Sequence, residues 1–222
     1  MAPSSTTVNS PATWVREARL HLGLSVRELA RLADVSYPTV SRIENGHEEP
    51  RWETLARLLR ATGRSLDSAE PRALPIVRLA ALTTQWRSYR GGRHEPNWTS
   101  LRAFIDHLHL NPELTAAAIL PAPKRSGSKF FDALLAAIAE KCADDARIRR
   151  PAWTKTRPAL DAPWESLGTP QVLRRNREQA PTQFLARGLH IAESAIWRTH
   201  PLDGDAARPR RRPHPPTRRR SR

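Results

Sequence analysis

The chain has 222 residues, with 37 Lys and Arg against 22 Asp and Glu, a formal charge of +15, and 39% hydrophobic residues. That is enough apolar content for one large or two small cores, and enough positive charge to favour a polyanionic partner. A single cysteine, Cys142, excludes an intrachain disulfide, a four-Cys zinc site and a CxxC redox pair, and no apolar run approaches the ~20 residues of a membrane helix, so a soluble cytoplasmic protein with no membrane partner is expected.

From Trp14 to Leu66 apolar side chains recur at helical spacing between well-marked stops. Trp14, Val15, Ala18 and Leu22 predict a first helix ending at Gly23. Ser25 with Glu28 three residues on is a capping box, opening a second helix through Val26, Leu29, Ala30 and Leu32. Ala33-Asp34-Val35 is the only connector before Ser36-Tyr37-Pro38-Thr39, where a capping hydroxyl and a proline start a third helix carrying Val40 and Ile43 inward and ending at Asn45-Gly46. A fourth, from about Arg51 to Gly63, is expected to bury Trp52, Leu55, Leu58 and Leu59. Beyond this bundle, residues 67–97 read as a connecting helix and linker, with Ile76, Leu79, Ala80, Thr83 and Trp86 forming a stripe before Gly91-Gly92. Helices are also predicted from Trp98 to Leu110, for a short piece within Pro112–Leu120, and from Phe130 to about Arg147 with Phe131, Leu134, Leu135 and Ile138 on its apolar face. From Pro151 to Pro170 the pattern is irregular, and Phe184 to Trp197 holds a short helix and a strand-like Leu189-His190-Ile191. The fold class is therefore mainly α: an N-terminal unit of four to five helices over 11–66, a mostly helical unit over 98–202, and a basic tail over 203–222.

The charge is unevenly distributed. Residues 11–66 carry a net +2, residues 67–202 carry +7, and residues 203–222, with Arg210-Arg211-Arg212 and Arg218-Arg219-Arg220, carry +6. The tail has almost nothing apolar to bury and is expected to be disordered; it serves either as a nonspecific grip on an acidic surface or as a solvated end.

The segment from Trp14 to Leu66 resembles the Cro and phage-repressor (XRE) helix-turn-helix family. Arg19-Leu20-His21-Leu22-Gly23-Leu24-Ser25, Glu28-Leu29-Ala30, Val35-Ser36, Val40-Ser41-Arg42-Ile43-Glu44-Asn45-Gly46, Pro50 and Leu55 carry the likeness, over about a quarter of the chain. The resemblance implies a DNA-binding regulator, a repressor, acting as a homodimer on double-stranded DNA without a cofactor. With Val40 and Ile43 facing the core, Tyr37, Pro38, Ser41 and Arg42 are left outward; Arg42 is the leading base reader, since its planar fork matches guanine, followed by Tyr37, Ser41 and Thr39. Arg27, Ser36, Asn45 and Arg51 fall at positions that the family uses for backbone phosphates. Val26 stands where many members have glutamine, and Pro38 replaces a possible hydrogen-bonding side chain, so the set of base contacts is expected to be sparse. Arg19 and Glu44 occupy positions that the family joins in a structural ion pair between the first and third helices.

The second half more faintly resembles, through Pro151-Ala152-Trp153, Pro163-Trp164, Gly168-Thr169-Pro170 and Arg187-Gly188-Leu189-His190-Ile191, a domain found beside such modules in bacterial regulators, some of them antitoxins to a nucleotidyltransferase-like toxin. That likeness implies a toxin protein as a second partner. Trp14, Trp52 and Trp98 read as core, as do Trp153 and Trp164, with a partner groove as the alternative for the last two. No Gly-rich phosphate loop, HExxH or GxSxG is present, His107 and His109 point apart on one helix, Cys142 reads as an inert thiol and Asp144-Asp145 as a polar helix end, so neither an enzyme nor a metal site is expected.

Overall fold

The computed structural model describes residues 10–66, 72–73, 76–89 and 92–198, and the basic tail lies outside them. Four helices form the N-terminal unit: α1 (Pro11–His21), α2 (Val26–Leu32), α3 (Tyr37–Glu44) and α4 (Trp52–Ala61). Their starts are written locally. Ser10 and Ser36 each cap through the hydroxyl, accepting from Thr13 N and Thr39 N at 3.3 Å. Ser25 and Glu28 form the reciprocal capping box, with Glu28 N donating to Ser25 Oγ at 3.2 Å and Ser25 N to Glu28 Oε2 at 2.7 Å. Val15, Ala18, Leu29, Ala30, Val40, Ile43, Leu55, Leu58 and Leu59 close a single core between these helices.

Trp52 departs from the expectation, being 62% exposed. It shares a helical stripe with Leu55 and Leu59, but it opens α4. Periodicity fixes the side of a helix a residue occupies, and not how far the neighbouring helices extend beneath it.

After α4, the short strands β1 (Arg64–Ser65) and β2 (Arg72–Ala73) pair antiparallel. The helix expected over 76–86 is absent: Leu79–Leu82 forms a 3₁₀ turn, and Trp86 begins β3 (Trp86–Ser88), paired with β4 (His94–Pro96) as Trp86↔Pro96 and Ser88↔His94. Leu79 and Leu82 still bury, so the segment joins the second core instead of merely bridging to it. A turn followed by a strand satisfied the apolar spacing as well as a helix would.

The second unit is built around α7 (Lys129–Asp145), in which every residue from Phe130 to Ala143 is buried. The sequence suggested one apolar face; the structure surrounds the helix with α5 (Trp98–Leu110), α6 (Thr115–Ile119), the Leu79–Leu82 turn and the C-terminal segment carrying Phe184, Leu189, Ile191 and Ile196. Alanine fills the remaining faces, at 133, 136, 137, 139 and 143, which lets neighbours approach closely. Burying Phe131, Leu134, Leu135 and Ile138 contributes roughly 6–12 kcal/mol before entropy is counted. Trp153 is buried, its indole N–H donating to Ile119 O at 3.0 Å, and belongs to the core, whereas Trp164 is half-buried and packs against that core, stacking on Phe130 with centroids 4.5 Å apart. Trp14 and Trp98 pack half-buried against their cores.

The charged side chains buried along α7 are partnered. Glu140 accepts from Nη2 and Nε of the Arg187 guanidinium at 2.7 and 3.1 Å, and Arg187 also donates to the carbonyls of Arg157 (2.6 Å) and Thr154 (2.9 Å). Lys141 bonds Asp145 and Glu193 at 3.0 Å and lies 5.0 Å from the Trp197 ring centroid. Asp144 holds Arg150 at 2.6 Å, an ordinary helix-end role. Burial pushes the Cys142 thiol up to about 12, which keeps it protonated and unreactive. A helix poor in apolar residues, α8 (Pro170–Glu178), with Val172 and Leu173 as its aliphatic side chains, is capped by Thr169 and followed by α9 (Thr182–Leu185), and β5 (Trp164–Glu165) pairs parallel with β6 (Leu189–His190).

Candidate nucleic-acid interface

The connection from α2 to α3 is four residues long, Ala33 to the capping Ser36, and turns through Asp34, whose φ of +51° is one of two positive values outside glycine among the described residues. Val35 N closes the turn on Ala30 O at 2.9 Å, and Arg57 of α4 donates to Asp34 O at 2.8 Å. This fixes the angle at which α3 leaves α2. Along α3, Val40, Ile43 and Glu44 face inward, Tyr37, Pro38 and Arg42 are exposed, and Thr39 and Ser41 are half-buried. The helix therefore offers an outward strip of one aromatic ring, one guanidinium and two hydroxyls.

The strip is held by its own contacts. The Arg27 guanidinium sits 5.4 Å from the centroid of the Tyr37 ring, bringing the start of α2 beside the start of α3. The Ser36 and Thr39 hydroxyls lie 2.7 Å apart, so each is oriented by the other. Asn45 closes α3 and Arg51 precedes α4; both are exposed. Arg42 is not free: Glu48, in the turn after α3, pairs with it at 2.9 Å while the two side chains remain 60% and 37% exposed. Glu48 carries no sequence signal of this pairing, because it lies beyond the helix and no periodicity reaches it.

Beneath the strip, Arg19 and Glu44 make a two-pronged pair, Nε to Oε1 at 2.7 Å and Nη2 to Oε2 at 2.8 Å, with side chains only 11% and 5% exposed. Arg19 Nη1 donates further to Leu24 O at 2.7 Å. One side chain thus joins α1, the loop before α2, and the end of α3.

These four helices, the short turn between α2 and α3 and the outward face of α3 have a counterpart among known families: the Helix-turn-helix family model matches residues 15–68. Residues 15–68 are a helix-turn-helix domain. An uncharacterised HTH-type transcriptional regulator of Haemophilus influenzae is 41% identical over 49 residues, which cover 22% of this chain and 50% of that protein. The chain thus spans about half the length of the relative it matches. No solved structure matches.

The helix-turn-helix domain is fastened to the second unit. Arg31 of α2 donates to Arg147 O, Arg149 N donates to Glu28 Oε1 at 2.8 Å, and Arg149 Nη2 to Gly23 O at 3.2 Å. Arg60 of α4 pairs with Glu113 at 2.5 Å and reaches Asn111 Oδ1 at 3.0 Å. Burial pushes the Glu28 carboxyl up, but hydrogen bonds from Ser25 and Arg149 outweigh it and hold the group below its ordinary value. Leu24 belongs to the core of the second unit, not to that of its own domain. Between the units lies an open cleft lined by Arg31, Arg57, Arg60, Leu32, Pro112 and Glu113; its three arginines are already engaged with Arg147 O, Asp34 O and Glu113. No group of three or more His, Cys, Asp or Glu among the described residues could hold a metal ion, and no described helix is long and apolar enough to cross a membrane.

Proposed function

We propose that the protein is a sequence-specific DNA-binding transcriptional regulator, a cytoplasmic repressor whose helix-turn-helix domain lays α3 in the major groove of double-stranded DNA. The observation that carries this reading is the outward strip of α3, set at a fixed angle by the turn at Asp34 and backed by the buried Arg19–Glu44 pair. Arg42 reads a base through its two-pronged fork, with Tyr37, Thr39 and Ser41 adding stacking or single hydrogen bonds. Arg27, Ser36, Asn45 and Arg51 position the domain on phosphates, and Arg19 with Glu44 supports the scaffold. A homodimer would place two such strips on half-sites about 10 bp apart, or a multiple of that.

The test is to select a preferred duplex from random sequence and measure its affinity for the full chain and for Arg42→Ala. The expected loss is about 1–3 kcal/mol, with relaxed preference at one position of the site. Unchanged preference refutes the assignment of Arg42. A rival reading, an antitoxin that also binds a nucleotidyltransferase-like toxin, is favoured by one observation, the exposed Arg174 and Arg175 of α8, which suit an acidic partner. Co-purification of the product of a neighbouring gene, lost when these arginines become glutamate, would support it.

A further inference from the structure

We propose that Arg149, supplied by the second unit, extends the DNA interface by holding a backbone phosphate beside the start of α2. This rests on the DNA-binding reading above and adds to it a contact from outside the helix-turn-helix domain.

Three observations place Arg149 there. The Glu28 carboxylate accepts Ser25 N on one oxygen (2.7 Å) and Arg149 N on the other (2.8 Å), so the two main chains meet within the span of one carboxyl group, although 121 residues separate Glu28 from Arg149. The Arg149 guanidinium then runs toward the loop that enters α2, donating from Nη2 to Gly23 O at 3.2 Å. That is the end of α2 from which Arg27 reaches the Tyr37 ring, so an edge runs from Arg149 past Ser25 to Arg27 and the exposed strip of α3.

The charge on this edge is available to an anion. Arg149 and Arg147 are exposed, and among the described residues neither forms an ion pair. The neighbouring Arg150 is taken up by Asp144, at 2.6 and 2.9 Å. The other carboxylate here, Glu28, accepts two main-chain N–H groups and feels the Arg149 charge, but lies beyond ion-pair distance of its guanidinium. A guanidinium has five donors, and Arg149 spends one on Gly23 O, which fixes the plane of the fork while its remaining N–H groups point elsewhere. A phosphate diester accepts such a fork, and one phosphate neutralised releases about 0.9 of a counterion.

The experiment compares wild type, Arg149→Ala and Arg149→Lys as full chains, each checked by thermal melting, on a duplex selected from random sequence and on an unrelated duplex across a salt series. Arg149→Ala is expected to weaken both duplexes by the same factor, about eightfold near 0.1 M salt, and to reduce the slope of log K against log salt by about 0.9. Arg149→Lys is expected to keep the slope, and Arg42→Ala to change sequence preference instead. The Glu28 bond uses the Arg149 main chain, so the anchoring of α2 survives both substitutions. A fall in affinity with an unchanged slope would mark Arg149 as a structural clamp only and overturn the proposal. If wild type binds neither duplex, this proposal and the DNA-binding reading fall together; if wild type binds and the slope of Arg149→Ala is unchanged, only this proposal falls.

Discussion

Replacing Glu44 with alanine should destabilise the helix-turn-helix domain more than any substitution on its outward strip. The wild-type pair has two charge-assisted hydrogen bonds at 2.7 and 2.8 Å between side chains 11% and 5% exposed, so neither group is solvated well enough to stand alone. Alanine removes both acceptors and leaves the Arg19 guanidinium with its bond to Leu24 O at 2.7 Å and no countercharge. Stranding one member of such a buried pair costs about 3–5 kcal/mol, whereas replacing both by apolar groups of similar volume is often neutral or stabilising. The assay is a double-mutant cycle of Glu44→Ala, Arg19→Met and the double variant, followed by denaturant unfolding. Because the two units share contacts, far-ultraviolet circular dichroism and tryptophan fluorescence should both be recorded, to separate loss of one unit from global unfolding. The expected coupling exceeds about 2 kcal/mol, with the double variant more stable than Glu44→Ala. Additive effects of the two single changes would refute the account, and show that Glu44 acts through packing alone.

Three other outcomes follow from particular contacts. Glu48→Gln should tighten DNA binding by up to about fivefold, because an exposed ion pair of this kind holds Arg42 by roughly 0.2–1 kcal/mol; weaker binding would mean that Glu48 orients Arg42 for its base instead of competing for it. Gly63→Ala should cost about 2–4 kcal/mol in unfolding measurements, since φ is +75° and the added Cβ would lie 2.6 Å from Ile76 Cδ1 and 2.8 Å from Ala117 Cβ, while Gly23→Ala, at φ +66° with open space around it, should cost only the backbone share. Burial pushes the Glu140 carboxyl up, but hydrogen bonds from Arg187 and Thr154 outweigh this and leave it below its ordinary value. Its contribution is therefore complete above the unfolded pKa of about 4.3 and is lost as pH falls through the lower folded value, so Glu140→Gln should flatten the acid limb of a stability-versus-pH curve. An unaltered limb would assign the acid sensitivity to other carboxylates.

How much could be read in advance differs between the two halves, for a physical reason. In residues 10–66 the signals are local: Ser25 and Ser36 satisfy amides within their own first turns, and Val40 and Ile43 mark the inner face of a helix eight residues long. Such signals need nothing distant, so helix order, the short turn and the outward residues of α3 followed from the chain alone. The second half uses contacts with no local signature. Its α7 is buried all round, which only the placement of its neighbours decides; the stripe through Leu79 and Trp86 fits a helix but forms a turn and a hairpin; α8 has too few apolar residues, Val172 and Leu173, to mark a helix in the sequence.

The features that bear most directly on function belong to this second kind. The pairing of Glu48 with Arg42, the exposure of Trp52 and the arrival of Arg149 beside Ser25 depend on where one element ends relative to another, and on a loop meeting a helix 121 residues away. By itself the sequence determined which helix carries the exposed polar strip, because capping and periodicity act within a few residues. Only the tertiary structure decided which of those side chains are already engaged and which part of the second unit stands next to them, because those are set by packing between segments that share no local rule.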